Sequence, residues 1–148
     1  MKKLFIYSSF TGNGDLVAEK MKEKGYDIRK VTEKKKFPKS FFWSVFSGGF
    51  RAGMGFKAKL VNYDNNVSEY DETVLGSPIW CGTLPPTTNS ILKQTNFEGK
   101  KLTVVFYSGS GEGKKGEAKI KKMFPNSEVI FMQEPKKHQD ELKKISIL

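Results

Sequence analysis

The sequence predicts an α/β chain wound on both faces of a five-stranded parallel sheet, and three observations carry that expectation. Leu4-Phe5-Ile6-Tyr7 and Leu102-Thr-Val-Val-Phe-Tyr107 are nearly unbroken apolar runs, the pattern of strands covered on both faces. Between the strand candidates, apolar residues recur at helical spacing, beginning with Leu16, Val17 and Met21 among Glu19, Lys20, Lys22 and Glu23. Stretches rich in glycine, serine or proline then follow the first, third and fourth strands. Strand and helix candidates taking turns in this way imply a doubly wound sheet. At 148 residues the simplest organisation is one domain, 1–148.

The first of those loops, Ser8-Ser-Phe-Thr-Gly-Asn-Gly-Asp15, joins the strand Leu4–Tyr7 to the first helix. The opening turn of a helix leaves backbone N–H groups free, and an anion can dock on them. Ser8, Ser9, Thr11 and Asn13 add side-chain donors, and Gly12 and Gly14 let the backbone come close. No lysine lies between residues 8 and 14 and G-x-x-x-x-G-K-[ST] is absent, which argues against a nucleoside triphosphate with magnesium. A phosphate monoester held by neutral donors fits better. The alternative is a type I′ hairpin turn at Asn13-Gly14, which the helical spacing from Leu16 onward disfavours.

The first helix covers residues 13–24 and stops at Gly25, and Tyr26–Thr32 reads as the second strand. Asp71–Ser77 is the third, ending at Pro78. Pro78-Ile-Trp-Cys-Gly-Thr-Leu-Pro-Pro86 is bracketed by prolines and therefore irregular. Thr87–Thr95 is the second helix, burying Ile91 and Leu92, and Leu102–Tyr107 is the fourth strand. After Ser108-Gly-Ser-Gly-Glu-Gly113 a third helix runs to Phe124, with Ala118, Ile120 and Met123 packing inward. Glu128–Met132 is the last strand, and Pro135–Leu148 a final helix packed through Leu142, Ile145 and Leu148. In such sheets ligands sit outside the carboxyl ends of the strands, so the loops after strands one, three and four share one site.

Residues 34–62 depart from this pattern. Lys34 to Leu60 holds seven basic residues and no Asp or Glu, interleaved with Phe37, Phe41, Phe42, Trp43, Phe46, Phe50 and Phe56. Ser40 can cap a short helix from Phe41 to Phe46, which Gly48-Gly49 breaks. The plain reading is a helix packing its aromatics on the sheet; the others are a lid over a flat ligand, such as a quinone, or a membrane-surface contact through 37–56.

The formal charge of +10 suits acidic proteins, anionic lipid or nucleic acid, although interleaved lysines usually cover solvated helix faces. A lone cysteine, Cys81, excludes an internal disulfide and fits a reducing compartment. The apolar run after Lys2-Lys3 is too short for a signal peptide, and no run approaches ~18 apolar residues, so a cytoplasmic chain is expected. His138 is the single histidine, and no zinc-type Cys/His spacing exists, so no metal site is expected.

Ser9-Phe10-Thr11-Gly12-Asn13 resembles the phosphate loop of the flavodoxin family, S/T-x-T-G-N-T, up to its last position. Gly76-Ser-Pro78-Ile-Trp80-Cys-Gly82-Thr-Leu-Pro-Pro86 resembles that family's second flavin loop, and Ser108–Gly113 stands where the third should be. The resemblance covers nearly the whole chain outside 34–62. It implies the strand order 2-1-3-4-5 and flavin mononucleotide (FMN) at the switch in that order, features known for flavodoxin itself. It also implies that Ser9, Phe10, Thr11, Gly12, Asn13 and Gly14 surround the FMN phosphate. Trp80 would lie against the ring, Ser77, Pro78, Ile79, Cys81 and Gly82 would border it, and the Cys81–Gly82 peptide would meet its N5. Ser108, Gly109, Ser110 and Gly111 would face the pyrimidine edge. The plain reading of Trp80 is a core residue.

Two departures stand out: Gly14 replaces a hydroxyl residue, and no aromatic lies between Ser108 and Met123. Phe46, Phe50 or Phe56 then supplies the second stacking ring, or that flavin face is open. Gly111-Glu-Gly113-Lys-Lys-Gly116 also fits the dinucleotide pattern G-x-G-x-x-G with Glu134 further on, but only one strand remains after it.

The reading that follows is an FMN-binding electron carrier whose redox partners are acidic proteins, with no nucleic acid expected. The alternatives are an FMN-dependent NAD(P)H:quinone-type reductase and a flavin-free basic module for lipid or nucleic acid. No His, Asp or Glu cluster points to acid–base catalysis, so no catalytic residue is assigned. A net positive charge near the ring is expected to raise the flavin potential.

Overall fold

The computed structural model describes residues 1–34 and 57–148. Expectations for a helix at Phe41–Phe46, a covering ring from Phe46, Phe50 or Phe56, and a contact through 37–56 lie outside them.

The elements are β1 (Lys3–Tyr7), α1 (Asn13–Glu23), β2 (Asp27–Lys30), β3 (Glu72–Pro78), α2 (Pro86–Gln94), β4 (Lys101–Ser108), α3 (Lys114–Met123), β5 (Glu128–Gln133) and a 3₁₀ segment, Gln139–Ile147. The strands form one sheet in the order β2-β1-β3-β4-β5. All neighbouring pairs are parallel, with Tyr7 opposite Gly76, Pro78 opposite Tyr107 and Ser108 opposite Gln133.

Strand periodicity divides the core. Leu4, Ile6, Leu75, Leu102, Val104 and Phe106 face one side, where Ile91, Leu92 and Ile120 of α2 and α3 cover them. Phe5, Tyr7, Val74, Val105 and Tyr107 face the other, under Val17, Ala18 and Met21 of α1 and Ile145 of the 3₁₀ segment. From Leu4 to Tyr7 each successive side chain of β1 is therefore buried, on alternating faces. Helices on both faces follow from that, because neither side of the sheet can be left in water.

Two packing expectations change. In α3 the inward residues are Gly116 and Ile120, with Phe124 packed against the same cluster; Ala118 and Met123 are exposed. The spacing of four between Gly116, Ile120 and Phe124 marks the buried stripe, and Ala118 lies two residues round from Gly116, on the far side. The last element is also not a helix over Pro135–Leu148 but a 3₁₀ segment over Gln139–Ile147. Leu142, Ile145 and Leu148, which pack on the second cluster, are spaced by three, and three residues per turn aligns them where an α-helix would not. No helix of the described residues is long and apolar enough to cross a membrane.

Candidate functional site

The chain runs from β1 to β2 on one side and then crosses to β3 on the other side of β1, so a crevice opens at the carboxyl ends of β1 and β3. Ser8 N–H continues the ladder to Gly76 O at 3.2 Å. The backbone then turns through Gly12, whose φ of +89° favours glycine, and enters α1 at Asn13. No hairpin forms there. Gly14 N–H donates to Ser9 Oγ at 3.1 Å and Asn13 Nδ2 to Thr11 Oγ1 at 3.0 Å. Among the described residues the N–H groups of Thr11, Gly12 and Asn13 find no acceptor, so three donors stand at a helix start.

Gly14 has no room for a side chain. A Cβ there would lie 2.5 Å from Tyr107 Oη, 2.9 Å from Ser9 Cβ and 3.0 Å from Ser8 O. The Tyr107 hydroxyl fills the space and donates to Ser8 O, which explains why the hydroxyl residue of the family motif is absent. Burial pushes the Tyr107 phenol well above its ordinary range, so it remains a donor at working pH. Asp15, in the first turn of α1, would repel an anion were it uncompensated. Partial burial pushes its carboxyl up, but hydrogen bonds from Lys30 Nζ (2.7 Å) and Tyr7 Oη (2.8 Å) outweigh that and hold it low. Lys30 neutralises the carboxylate from β2.

After β3, Trp80 and Thr83 exchange backbone hydrogen bonds at 3.0 Å in each direction. The residues between them, Cys81 and Gly82, both have positive φ (+49° and +77°), so this is a type I′ turn. Cys81 is a non-glycine residue held there, with its thiol exposed; such backbone strain clusters at functional sites. Gly82 O accepts from Gly116 N–H at 2.9 Å, tying the turn to α3. Trp80 is 8% exposed, and Phe10, 45% exposed, meets it edge-on at 5.0 Å.

Two adjoining hollows open between these loops. One, about 350 Å³, is lined by Phe10, Thr11, Asn13, Pro78, Ile79, Trp80, Tyr107, Ser108, Gly109 and Glu134. The other, about 320 Å³, is lined by Ile79, Cys81, Gly82, Ser108, Gly109, Ser110, Glu112, Gly113 and Lys114. Together they reach the size range of cofactor sites. Of the residues singled out from sequence, Ser77 does not reach them: it is fully buried, with Oγ 2.5 Å from Thr88 Oγ1. Ser9 and Gly14 lie behind the loop, in contact with each other, and Gly111 turns with φ +74° toward Gln133. Among the described residues no group of His, Cys, Asp and Glu could hold a metal.

The pattern Gly111-x-Gly113-x-x-Gly116 has a packing explanation. A Cβ on Gly113 or Gly116 would come within 2.9 or 2.8 Å of Ile79 Cδ1. These glycines let the second loop pack onto the start of α3.

Sequence reasoning missed Tyr107 and Lys136, and placed Glu112 only within the third loop and Glu134 only in the dinucleotide pattern. Tyr107 was readable as the last apolar residue of its strand, at the edge where ligands bind. Glu134 and Lys136 follow β5, whose carboxyl end lies on the same edge but whose loop has no motif.

A flavodoxin family model matches residues 2–145. The chain belongs to the flavodoxin family. No curated protein sequence matches it. Among solved structures, a candidate flavoprotein of Bacteroides eggerthii is 22% identical, with TM-score 0.75 and 99% of each chain covered. A second, of Bacteroides uniformis, is 23% identical over 86% of each chain, with TM-score 0.70. A flavoprotein of Lactobacillus acidophilus in complex with FMN is 19% identical, covers 94% of this chain and 97% of its own, and has TM-score 0.64. These likenesses establish the flavodoxin fold. The flavodoxin cofactor suits the residues present: three unsatisfied N–H groups at a glycine-built loop for a phosphate, and beside them a hollow walled by Trp80 and Phe10 for a flat ring.

Proposed function

We propose that this flavodoxin-family chain is an FMN-binding electron-transfer protein of the cytoplasm, working with acidic redox partners. The observation that carries the reading is the adjacency, at the switch in strand order, of the donors of Thr11, Gly12 and Asn13 to the Trp80-walled hollow. The FMN complex of the Lactobacillus acidophilus protein, which shares the fold, supports it. The flavin supplies the one- or two-electron chemistry, and the protein supplies binding, orientation and charge. Here the Thr11–Asn13 N–H groups would hold the phosphate, Trp80 would wall the hollow that takes the ring, and the Cys81–Gly82 turn and the Ser108–Gly109 backbone would border it. Spectrophotometric titration of the purified protein with FMN tests the reading. A shifted, resolved flavin spectrum and quenched flavin fluorescence are expected, and a spectrum identical to free FMN overturns it.

The acidic-partner proposal rests on a basic hollow of about 400 Å³ where Lys57, Lys93 and Lys119 converge. The Lys93 ammonium beside Lys57 holds the latter below the ordinary lysine range, and burial does the same for Lys119, whose Nζ donates to Asn89 Oδ1 at 2.6 Å. Crowded cations of this kind favour a carboxylate-bearing surface.

Charge near the ring is more balanced than a total of +10 suggests, because Glu112 and Glu134 line the hollows together with Lys114. One unit charge at ~10 Å with an effective dielectric of ~40 is worth roughly 0.8 kcal/mol, about 35 mV for one electron. Lys114→Gln is therefore expected to lower the flavin potential by about that much at low salt, and Glu112→Gln to raise it. Redox titration checks both; potentials that stay put in both variants place the ring away from these side chains.

A further inference from the structure

We propose that Lys136, from the loop after β5, reads the charge of the FMN tail and makes the site select FMN over riboflavin. This inference rests on the FMN reading above. The phosphate loop has no basic residue between positions 8 and 14, but the fold delivers one from more than a hundred residues away. Lys136 N–H donates to Asn13 Oδ1 at 3.0 Å, and Lys136 Nζ donates to Thr11 O at 3.1 Å. Between those two bonds the side chain crosses Gly12, where a Cβ would lie 3.2 Å from Lys136 Cδ and 3.4 Å from Nζ. The ammonium thus ends at the Thr11–Gly12 peptide, in the same loop as the three N–H groups that lack acceptors.

Its charge is not consumed elsewhere. Lys137 pairs with Glu134 and Lys144 with Glu141, whereas Lys136 has no carboxylate within ion-pair distance among the described residues. Among the described residues its one side-chain partner is the neutral Thr11 carbonyl. A phosphate monoester carries close to two negative charges at neutral pH and would draw the ammonium from that carbonyl. The bond to the carbonyl carries a charge on the donor alone, whereas a bond to phosphate adds an opposite charge on the acceptor. Riboflavin has the same ring without the phosphate, so the lysine adds nothing to its binding. The backbone bond from Lys136 N–H to Asn13 survives any substitution except proline, so the two loops stay joined when the ammonium is removed.

The test compares FMN and riboflavin binding, by fluorescence quenching at low salt, in wild type, Lys136→Gln and Lys136→Arg. Lys136→Gln is expected to weaken FMN about 10- to 100-fold and riboflavin by less than about twofold, with Lys136→Arg close to wild type. In parallel, inorganic phosphate is expected to raise the thermal midpoint of the flavin-free wild type and not that of Lys136→Gln. Equal losses for the two flavins, or FMN affinity unchanged in Lys136→Gln, overturn the assignment while the FMN reading stands. Wild type that binds neither flavin overturns both.

Discussion

Gly14→Ala is expected to destabilise the protein and to weaken FMN binding at least tenfold, although it places a better helix former inside α1. The two effects oppose each other, and their magnitudes decide the sign. Glycine to alanine within a helix is worth up to ~1 kcal/mol in favour of the variant. Against it, the new Cβ would stand 2.5 Å from Tyr107 Oη, with Ser9 Cβ and Ser8 O at 2.9 and 3.0 Å closing the other directions. Tyr107 is buried beneath the loop and bonded to Ser8 O, so it cannot step aside into solvent. Overpacking a filled interior costs ~1–3 kcal/mol, and a buried hydrogen bond left unmade costs about as much again, ~1–3 kcal/mol. The net loss is roughly 1–5 kcal/mol, and a loss near the middle of that range lowers the thermal midpoint by about 6–12 °C for a chain of this size. The Ser8–Asp15 loop must move to accommodate the methyl group, which carries the phosphate donors with it. In a Tyr107→Phe background the closest clash is gone, so the same substitution is expected to cost less there, a coupling that a double-mutant cycle reads directly. Gly14→Ala as stable as wild type would mean that the tyrosine hydroxyl does not fill that space.

How much of this was legible beforehand depends on the range of the contact concerned. The fold was, because an apolar run covered on both faces and a helix with one buried stripe are local patterns, and β1, β4 and α1 each carry one plainly. The three loops were legible too, since glycines, hydroxyls and bracketing prolines state their backbone requirements within a few residues. What the sequence hid were contacts between distant positions: Tyr107 under Gly14, Ile79 against Gly113 and Gly116, and Lys136 across Gly12. In each, a glycine marks a close approach, but the identity of the approaching side chain is set by sheet register and crossover geometry. In the sequence Gly14 reads only as a hydroxyl residue replaced, and the reason for it, Tyr107 beneath the loop, comes from across the sheet. The 3₁₀ segment reads as a helix in the sequence because each step, from 142 to 145 and from 145 to 148, is a spacing both helix types bring together. Only over the two steps does the three-residue turn alone keep them aligned.

Trp80→Ala is expected to reduce affinity for FMN and riboflavin by the same factor, which distinguishes the ring end of the site from the phosphate end. The indole is 8% exposed, lies edge-on to Phe10 at 5.0 Å, and walls the hollow that adjoins the phosphate loop. An aromatic side chain stacked on a flat heterocycle contributes ~1–3 kcal/mol, about 5- to 150-fold in affinity. Truncation also removes a packed side chain, and the cavity costs ~3–5 kcal/mol of stability in a filled interior, so affinity alone would confuse a lost wall with a loosened fold. The ratio of the two flavins removes that ambiguity, because both carry the same ring and only one carries the phosphate. A variant that has lost its ring wall keeps the wild-type ratio and still responds to inorganic phosphate; a variant whose phosphate loop has collapsed loses both. Trp80→Phe, which restores a flat face with less volume lost, should recover most of the affinity. If Trp80→Ala bound both flavins as wild type does, the ring would have to sit on the Cys81–Lys114 side of the crevice, beyond the reach of the indole.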